Sequence, residues 1–401
     1  MKLVKLSDLF RVGSSKRVLK SDWKDAGVPF YRGREITRLS KTGFADNELF
    51  VSEEHFKDLS AKYGVPVPGD IMVTAIGTIG NTYIVNERDR FYFKDASVLW
   101  LHKEAEVDSR FIDYWLKSDL FFDQLDRGNG ATVDTLTIEK LSNVKLLLPS
   151  LEKQHEIVEK LDSAFVEIDL LEVNLGLSKE KANQLLQSLL SSAFSSTAED
   201  NGSSSNSEDE IISTNLVPLG TVAEVIAGQS PEGIYYNSIG NGTPFYQGKK
   251  EFGEKFLGEA TTWTTKITKL AEPGDILMSV RAPVGPINFS TQQICIGRGL
   301  AAIRAKKLVD KNYLFYFLLH KQPEISGNTG AVFDSINKDQ ISSIEIPVPS
   351  LEKQIEIINK LDIVFAEIES LKLQIKSEKD YVDTLRQSLL NKAFSQKEVV
   401  A

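Results

Sequence analysis

The chain has a single cysteine, Cys295, among its 401 residues. That excludes an internal disulfide and any cysteine-built zinc cluster, and makes a reducing cytoplasm the expected compartment. No apolar run approaches the roughly 18 residues that a membrane-spanning helix needs. The opening "MKLVKLSDLFRVGSSKR" places Asp8 and Arg11 where a signal peptide would need an unbroken apolar stretch. Phosphate-loop chemistry is missing too: the closest string, "GTPFYQGKK" from Gly242, has one residue too many and no hydroxyl after Lys249. There is no Pro-Pro pair anywhere, so the Asn/Asp-Pro-Pro-aromatic loop of a DNA methyltransferase cannot be present. "AIGTIG" at Ala75 reads as a turn at a strand end rather than as a cofactor loop. His55, His102, His155 and His320 stand singly, without a second metal ligand at helical or turn spacing. A self-sufficient enzyme is not expected, nor is a metal site or a catalytic residue.

What the chain does have is a repeat. "LPSLEKQHEIVEKLDSAF" from Leu148 returns as "VPSLEKQIEIINKLDIVF" from Val348. Residues 149–194 align with 349–394 without a gap, and both copies close on "QSLL..AF". Within the copies, apolar residues fall at steps of three and four: Val158, Leu161, Phe165, Ile168, Leu171, Leu175, Ala182, Leu185 and Leu189, then Ile358, Leu361, Phe365, Ile368, Leu371, Ile375, Val382, Leu385 and Leu389. Such spacing predicts a long helix with one apolar stripe. A helix of about 44 residues would be about 65 Å long, longer than a domain of this size is wide, so much of that stripe needs another helix. The other copy is the expected partner, with Leu161, Phe165, Ile168, Leu361, Phe365 and Ile368 as packing residues. Pro149-Ser150 and Pro349-Ser350 mark the helix starts, and Gly176 marks an expected bend.

The stretches before the helices echo each other more faintly. "GVPFYRGREI" from Gly27 answers "GTPFYQGKKEF" from Gly242, "VPGDIMVTAIGTIG" from Val67 answers "EPGDILMSVRAPVG" from Glu272, and "GNGATVDTL" from Gly128 answers "GNTGAVFDSI" from Gly327. Short β-rich runs at 71–76, 83–85, 276–280 and 294–296, with amphipathic segments at 111–116 and 313–319, predict two mixed α+β domains. The expected order is a first domain at 1–148, a helix at 149–194, a flexible acidic linker at 195–213, a second domain at 214–348 and a second helix at 349–396.

Net charge is -9, which argues against a nucleic-acid partner until the acid is located. Residues 1–148 carry 22 basic and 22 acidic side chains, and residues 214–348 carry 13 and 12. The first helix holds 4 against 8, and "SSTAEDNGSSSNSEDEIIS", residues 195–213, holds 0 against 5. The excess acid therefore belongs to a helix and a tether, leaving both domain surfaces balanced. Between Arg11 and Lys41, nine basic residues stand against three acidic ones, interleaved with Trp23, Phe30 and Tyr31. Lys16, Arg17, Lys20, Arg32 and Arg34 are the DNA-contacting candidates there, because basic groups displace phosphate counterions and Arg offers guanine a bidentate fork. A solvated basic loop would look the same. In the second domain the candidates are Gln247, Lys249, Lys250, Arg281 and Arg298. Gln247 aligns with Arg32 after the shared "PFY", and Gln suits adenine where Arg suits guanine. Asn129 and Asn328, in the paired Gly-Asn phrases, complete the set.

Two divergent domains, each followed by a near-identical "PSLEKQ..EI...KLD..F.EI" helix ending in "QSLL..AF", resemble the DNA-specificity subunit of type I restriction-modification enzymes. The resemblance implies an α+β chain in which two target-recognition domains are joined by two long antiparallel helices, forming a pseudo-two-fold coiled coil. It implies a non-catalytic subunit that reads one half of a bipartite site with each domain and sets the spacing through the helices. Its partners would be double-stranded DNA, two methyltransferase (modification) subunits using S-adenosylmethionine, and restriction-translocase subunits using ATP and Mg. A coiled-coil adaptor joining two proteins without DNA readout is the alternative, and a single-chain methyltransferase a second.

Overall fold

The computed structural model describes residues 2–125, 135–199, 216–326 and 335–395. Contacts divide the chain into two compact units: one joins Met1–Leu175 to Glu378–Ala401, and the other is the continuous stretch Gly176–Ser377. Each unit thus takes part of both long helices, Leu151–Glu199 and Leu351–Ala393.

In the first unit, an antiparallel sheet runs in the order Phe10–Gly13, Val98–Lys103, Ile71–Thr74, Thr82–Ile84. Its register sets Phe10 against Lys103, and Ile71 against both Leu101 and Ile84. The "IMVT" of Ile71–Thr74 is buried throughout, as a continuous apolar run in a central strand must be. A second sheet follows the order Trp23–Lys24, Phe50–Val51, Val28–Tyr31, Tyr92–Phe93, and its last pairing is parallel. Lys2–Lys5 pairs with Lys145–Leu148 in a two-stranded ribbon leading into the first long helix.

The second unit repeats this plan. Its antiparallel sheet has the order Ala223–Ala227, Leu300–Ala305, Ile276–Ser279, Ile287–Phe289. The mixed sheet runs Tyr236–Asn237, Trp263–Thr264, Thr243–Tyr246, Ile294–Ile296, with Leu270–Ala271 added at the edge. Leu216–Pro218 pairs with Glu345–Pro347 as the ribbon before the second long helix.

The "PGD" phrases explain themselves as turns. Gly69 and Gly274 each take φ of +90°, and Asp70 and Asp275 donate their backbone N–H to Val67 and Glu272 at 3.0 Å. Pro at the second turn position and Gly at the third are what such a reversal requires. The buried Asp70 carboxylate also accepts from the indole of Trp100 at 2.7 Å and the backbone of Lys103 at 3.0 Å, and Asp275 accepts two bonds from Arg304 at 2.9 and 2.8 Å. A buried carboxylate met by several donors costs little and fixes the turn to the sheet.

Each long helix is pinned where it starts. The hydroxyls of Ser150 and Ser350 accept from the N–H groups of Lys153 and Lys353 at 3.4 and 3.3 Å. Gln154 and Gln354 are buried, donating back to Pro149 and Pro349 and accepting from the N–H of Asp108 at 2.9 Å and of Asp310 at 2.8 Å. About two turns further, Asp162 accepts the hydroxyl of Tyr114 at 2.5 Å, and Asp362 accepts that of Tyr316.

In the first unit Ile157, Val158 and Leu161 share one core with Phe10, Phe111 and Trp115, and with Leu390 and Phe394 from the end of the second helix. Earlier on that second helix, Arg386 donates to Asp169 at 2.7 Å, so the two segments run antiparallel within this unit. In the second unit Ile357, Ile358, Leu361, Phe365 and Ile368 share a core with Leu186, Leu190 and Phe194, against Tyr313 and Phe317.

The stripe departs from its predicted phase. Leu171, Leu185 and Leu371 are 48, 54 and 42 % exposed, while Ala182, Leu186, Leu190 and Phe194 are buried. Steps of four win there because an α-helix drifts relative to a strict seven-residue repeat and follows whichever surface it packs on. Gly176, the expected bend, lies inside the continuous helix Leu151–Glu199, where an added Cβ would meet nothing within 4 Å. The first helix also runs on to Glu199, into the stretch expected to be tether, since extending a formed helix costs little. The remainder of that tether lies outside the described residues.

Candidate nucleic-acid interface

At one end of the first unit, backbone bonds tie three segments together. Lys94 donates to Tyr31 at 2.8 Å, Ala75 donates to Ser97 at 3.0 Å, and the hydroxyls of Ser14 and Ser15 reach Val98 and Phe93 at 2.9 and 2.6 Å. Arg32 follows Tyr31 here and caps the helix Gly33–Thr42.

Its guanidinium is held side-on. Arg32 Nε and Nη2 donate to Glu35 Oε2 and Oε1 at 3.1 and 2.9 Å, and the Arg32 backbone N–H adds a third bond at 2.9 Å. Arg34 Nε donates to Glu35 Oε1 at 2.9 Å, and its Nη2 to Glu48 at 2.6 Å. Glu35 is fully buried, while the Arg32 and Arg34 side chains stay 27 and 44 % exposed. Burial alone would raise the Glu35 pKa, but the bonds from Arg32 and Arg34 outweigh it and hold the carboxyl below its ordinary range. Arg34 is pushed up by its bonds to Glu48 and then Glu35, and Glu48 is lowered chiefly by Arg34. Burial, with Asp89 and Glu35 nearby, raises Tyr31.

Lys16 is exposed, with its Nζ 5.7 Å from the ring centre of Tyr63, and its backbone N–H donates to the Tyr92 hydroxyl at 3.1 Å. Arg17 is exposed on the same segment. Lys20 opens the short turn Lys20–Asp22 that precedes the edge strand Trp23–Lys24, and none of these backbone ties involves it.

The second unit builds the corresponding corner with different side chains. Gly297 donates to Tyr246 at 2.8 Å and Val280 to Gly299 at 2.9 Å, the counterparts of the Lys94 and Ala75 bonds. Gln247 and Arg298 are both exposed at this corner. The backbones approach so closely that a Cβ on Gly299 would lie 2.3 Å from the Gln247 carbonyl, and one on Gly297 would lie 3.1 Å from Gln247 Cα. Arg298 therefore projects from a turn locked against Gln247. Arg281 is exposed one residue beyond Val280 and bridges in backbone to Ser335. Lys249 and Lys250 are exposed on the single turn Lys249–Glu251, and Lys249 lines a cleft with Asn183, Gln187 and Lys372 of the long helices. The geometry thus brings Gln247, Arg281 and Arg298 to one corner and turns Lys249 toward the helices.

Asn129 and Asn328 lie outside the described residues. The chain resumes at the same corners, where Leu136 and Ile336 donate to Ala75 and Val280 at 2.9 and 3.1 Å. Among the packing candidates, Leu161, Ile168, Leu361, Phe365 and Ile368 are buried, and Phe165 packs on Tyr114 with ring centres 5.4 Å apart. Sequence reasoning missed Gln154, Gln354, Asp162 and Asp362, although each is identical in both copies of the repeat. It also missed Lys255, which reaches Asp362 at 2.9 Å and the Tyr316 hydroxyl at 3.1 Å, over the rings of Tyr316 and Phe365 at 5.0 and 5.5 Å.

Among the described residues no group of three or more His, Cys, Asp or Glu is arranged to hold a metal ion, and no helix is long and apolar enough to cross a membrane.

Residues 1–175 and 215–378 match the family model of the type I restriction modification DNA specificity domain. The chain is 29 % identical to the putative type I restriction enzyme MjaX specificity subunit of Methanocaldococcus jannaschii, over 96 % of this chain and 91 % of that protein. It is 31 % identical to the putative type I restriction enzyme specificity subunit S.HindORF215P of Haemophilus influenzae, over 40 % of this chain and 39 % of that one. Among solved structures it superposes with a TM-score of 0.72 and 26 % identity, covering 98 % of this chain and 97 % of the other, on a chain from work on complex assembly and conformational transition of the type I R-M system. The two-fold match over most of the length, on the duplicated fold described above, makes the chain a member of the type I restriction-modification DNA-specificity family.

Proposed function

We propose that each unit reads one half of a bipartite double-stranded DNA site, with the long helices setting the distance between the halves. The observation that carries this reading is the corner shared by both units. Matching backbone bonds present Arg32 and Arg34 in one and Gln247, Arg281 and Arg298 in the other. A common scaffold with different hydrogen-bonding side chains at equivalent positions is what two readers of different base sequences need.

The chain acts as a non-catalytic subunit, and two methyltransferase subunits dock on its helices. Val166, Leu170 and Val173 support that docking, since they follow helical spacing and each is 59 % exposed, as do Ile355 and Ile363 at 53 and 64 %. S-adenosylmethionine belongs to those partners, and ATP with Mg to restriction-translocase subunits joining them.

The test is a methylation map in cells expressing the chain with its modification subunits. A split motif whose two halves are unrelated in sequence is the expected result. A continuous motif, or methylation that does not depend on this chain, contradicts the reading. A coiled-coil adaptor without DNA readout is separated by salt, because phosphate contacts predict steep weakening of DNA binding between 50 and 200 mM.

A further inference from the structure

Resting on the DNA-reading function proposed above, we infer that Glu35 is a positioning residue that holds Arg32 as a fixed fork for a guanine edge in the half-site read by the first unit. Three features carry this. Glu35 is fully buried, yet the two guanidinium groups it binds are partly exposed. Its two oxygens take the Nε and Nη2 side of Arg32, which leaves the end-on fork, Nη1 with the second hydrogen of Nη2, without a bond to Glu35 on a side chain that is 27 % exposed. That end-on pair matches the O6 and N7 acceptors of guanine in the major groove.

Glu48 completes the arrangement. Its side chain is 63 % exposed, 2.6 Å from Arg34 Nη2 and 3.7 Å from Arg32 Nη2, so it lies on the outer edge and must yield that edge to a base. The inner carboxylate fixes direction, while the outer one is exchangeable. A guanidinium already locked by a buried acid loses little rotamer freedom on binding, which converts its hydrogen bonds into discrimination. Glu35 also caps the helix Gly33–Thr42 through the Arg32 N–H. A capping role alone would make it structural, so the test must separate the two.

Glu35→Gln does so. The amide oxygen in the place of Oε2 can still accept the Arg32 backbone and Nε bonds, but the NH2 in the place of Oε1 meets two donors, Arg32 Nη2 and Arg34 Nε, so the side-on clamp on Arg32 is halved. Arg32→Lys, at a partly exposed position, removes the fork and leaves the cap. Both variants of the full chain are expressed with the modification subunits and their methylation maps compared with wild type. At one guanine of one half-site, both should lose about tenfold of the preference over other bases, with the other half-site and the spacer unchanged. A wild-type half-site without a G·C pair at the affected position overturns the inference. So does a motif unaltered in both variants, or a loss spread evenly over both halves. If Glu35→Gln gives no modified DNA, Arg32→Lys decides alone. Wild-type chain that directs no split motif defeats the functional reading itself, whatever the variants do.

Discussion

The two units share sheet order, turn chemistry and helix anchors, and differ where a strand ends at "PFY". In the first, Arg32 leads into the helix Gly33–Thr42 and is clamped by Glu35. In the second, Gln247 leads into a single turn, Lys249–Glu251, and the chain continues to Lys255, which lies over the rings of Phe315, Tyr316 and Phe365 at 5.8, 5.0 and 5.5 Å. The first unit divides that role: Arg110 pairs with Asp162, the counterpart of Asp362, while Arg386 sits 5.0 Å over Phe165 and pairs with Asp169 and Glu172 at 2.7 and 3.4 Å. The parts that hold the helices are thus duplicated in chemistry, whereas the corners proposed to face DNA are duplicated only in backbone. The divergence includes a buried partner: the first unit has the buried Glu35 three residues after Arg32, and the second has the exposed Lys250 three residues after Gln247.

The comparison can be broken most strongly at the helix ends. Phe394 packs on Phe111 in the first unit with ring centres 5.2 Å apart, and Phe194 on Tyr313 in the second at 5.4 Å. Phe394→Ala and Phe194→Ala should each cost about 3–5 kcal/mol. Hydrogen exchange should show Phe394→Ala loosening the strands of the first unit and Phe194→Ala those of the second, although each residue follows the other unit's recognition segment in sequence order. Equal loosening in both would contradict the assignment of helix segments to units.

Smaller effects test the anchors. Gln154→Ala and Gln354→Ala strand partly buried N–H groups at Asp108 and Asp310, which should cost about 1 kcal/mol each in denaturant titrations. A cost below a few tenths would remove these glutamines from the account. Lys255→Met should cost about 1 kcal/mol, since the cation is partly solvated and Asp362 is half-exposed.

The same lysine gives a pH prediction. Burial would raise the Asp362 pKa, but bonds from Tyr316 and Lys255 outweigh it and hold the carboxyl below its unfolded value. A depressed acid stabilises the fold above its unfolded pKa of about 3.9 and loses that contribution as pH falls through the folded value. The Tm gap between wild type and Asp362→Asn should therefore close as pH drops from 6 to 3, and a constant gap would refute the cause. The smallest expected change is in salt response. Arg17→Ala should weaken DNA binding without altering the motif and lower the salt slope by about one, whereas Gln247→Ala should alter one half-site and leave the slope unchanged.

Much of the scaffold was legible because it is written twice. The strands at 71–74, 276–279 and 294–296, the "PGD" turns and the paired helices all carry local signals, and the duplicated "KQ" and "KLD" held the anchors for anyone asking why they repeat. The ion-paired state of Arg32 and Arg34 was only half legible. Arg32 and Glu35 sit at i and i+3, but Glu48 reaches Arg34 through the fold from 14 residues away. The phase of the helix stripe was misjudged for a related reason. Which of Leu185 or Leu186 is buried depends on the surface offered by Tyr313 and Phe317, and periodicity alone does not carry that.

The central claim is that the helices measure the distance between two independent readers. A four-residue insertion after Gly176 and after Lys376 lengthens each helix by about 6 Å, close to two base-pair steps. Methylation mapping of that variant with its modification subunits should return both wild-type half-sites separated by a longer spacer. An unchanged spacer, or an altered half-site, would contradict the account.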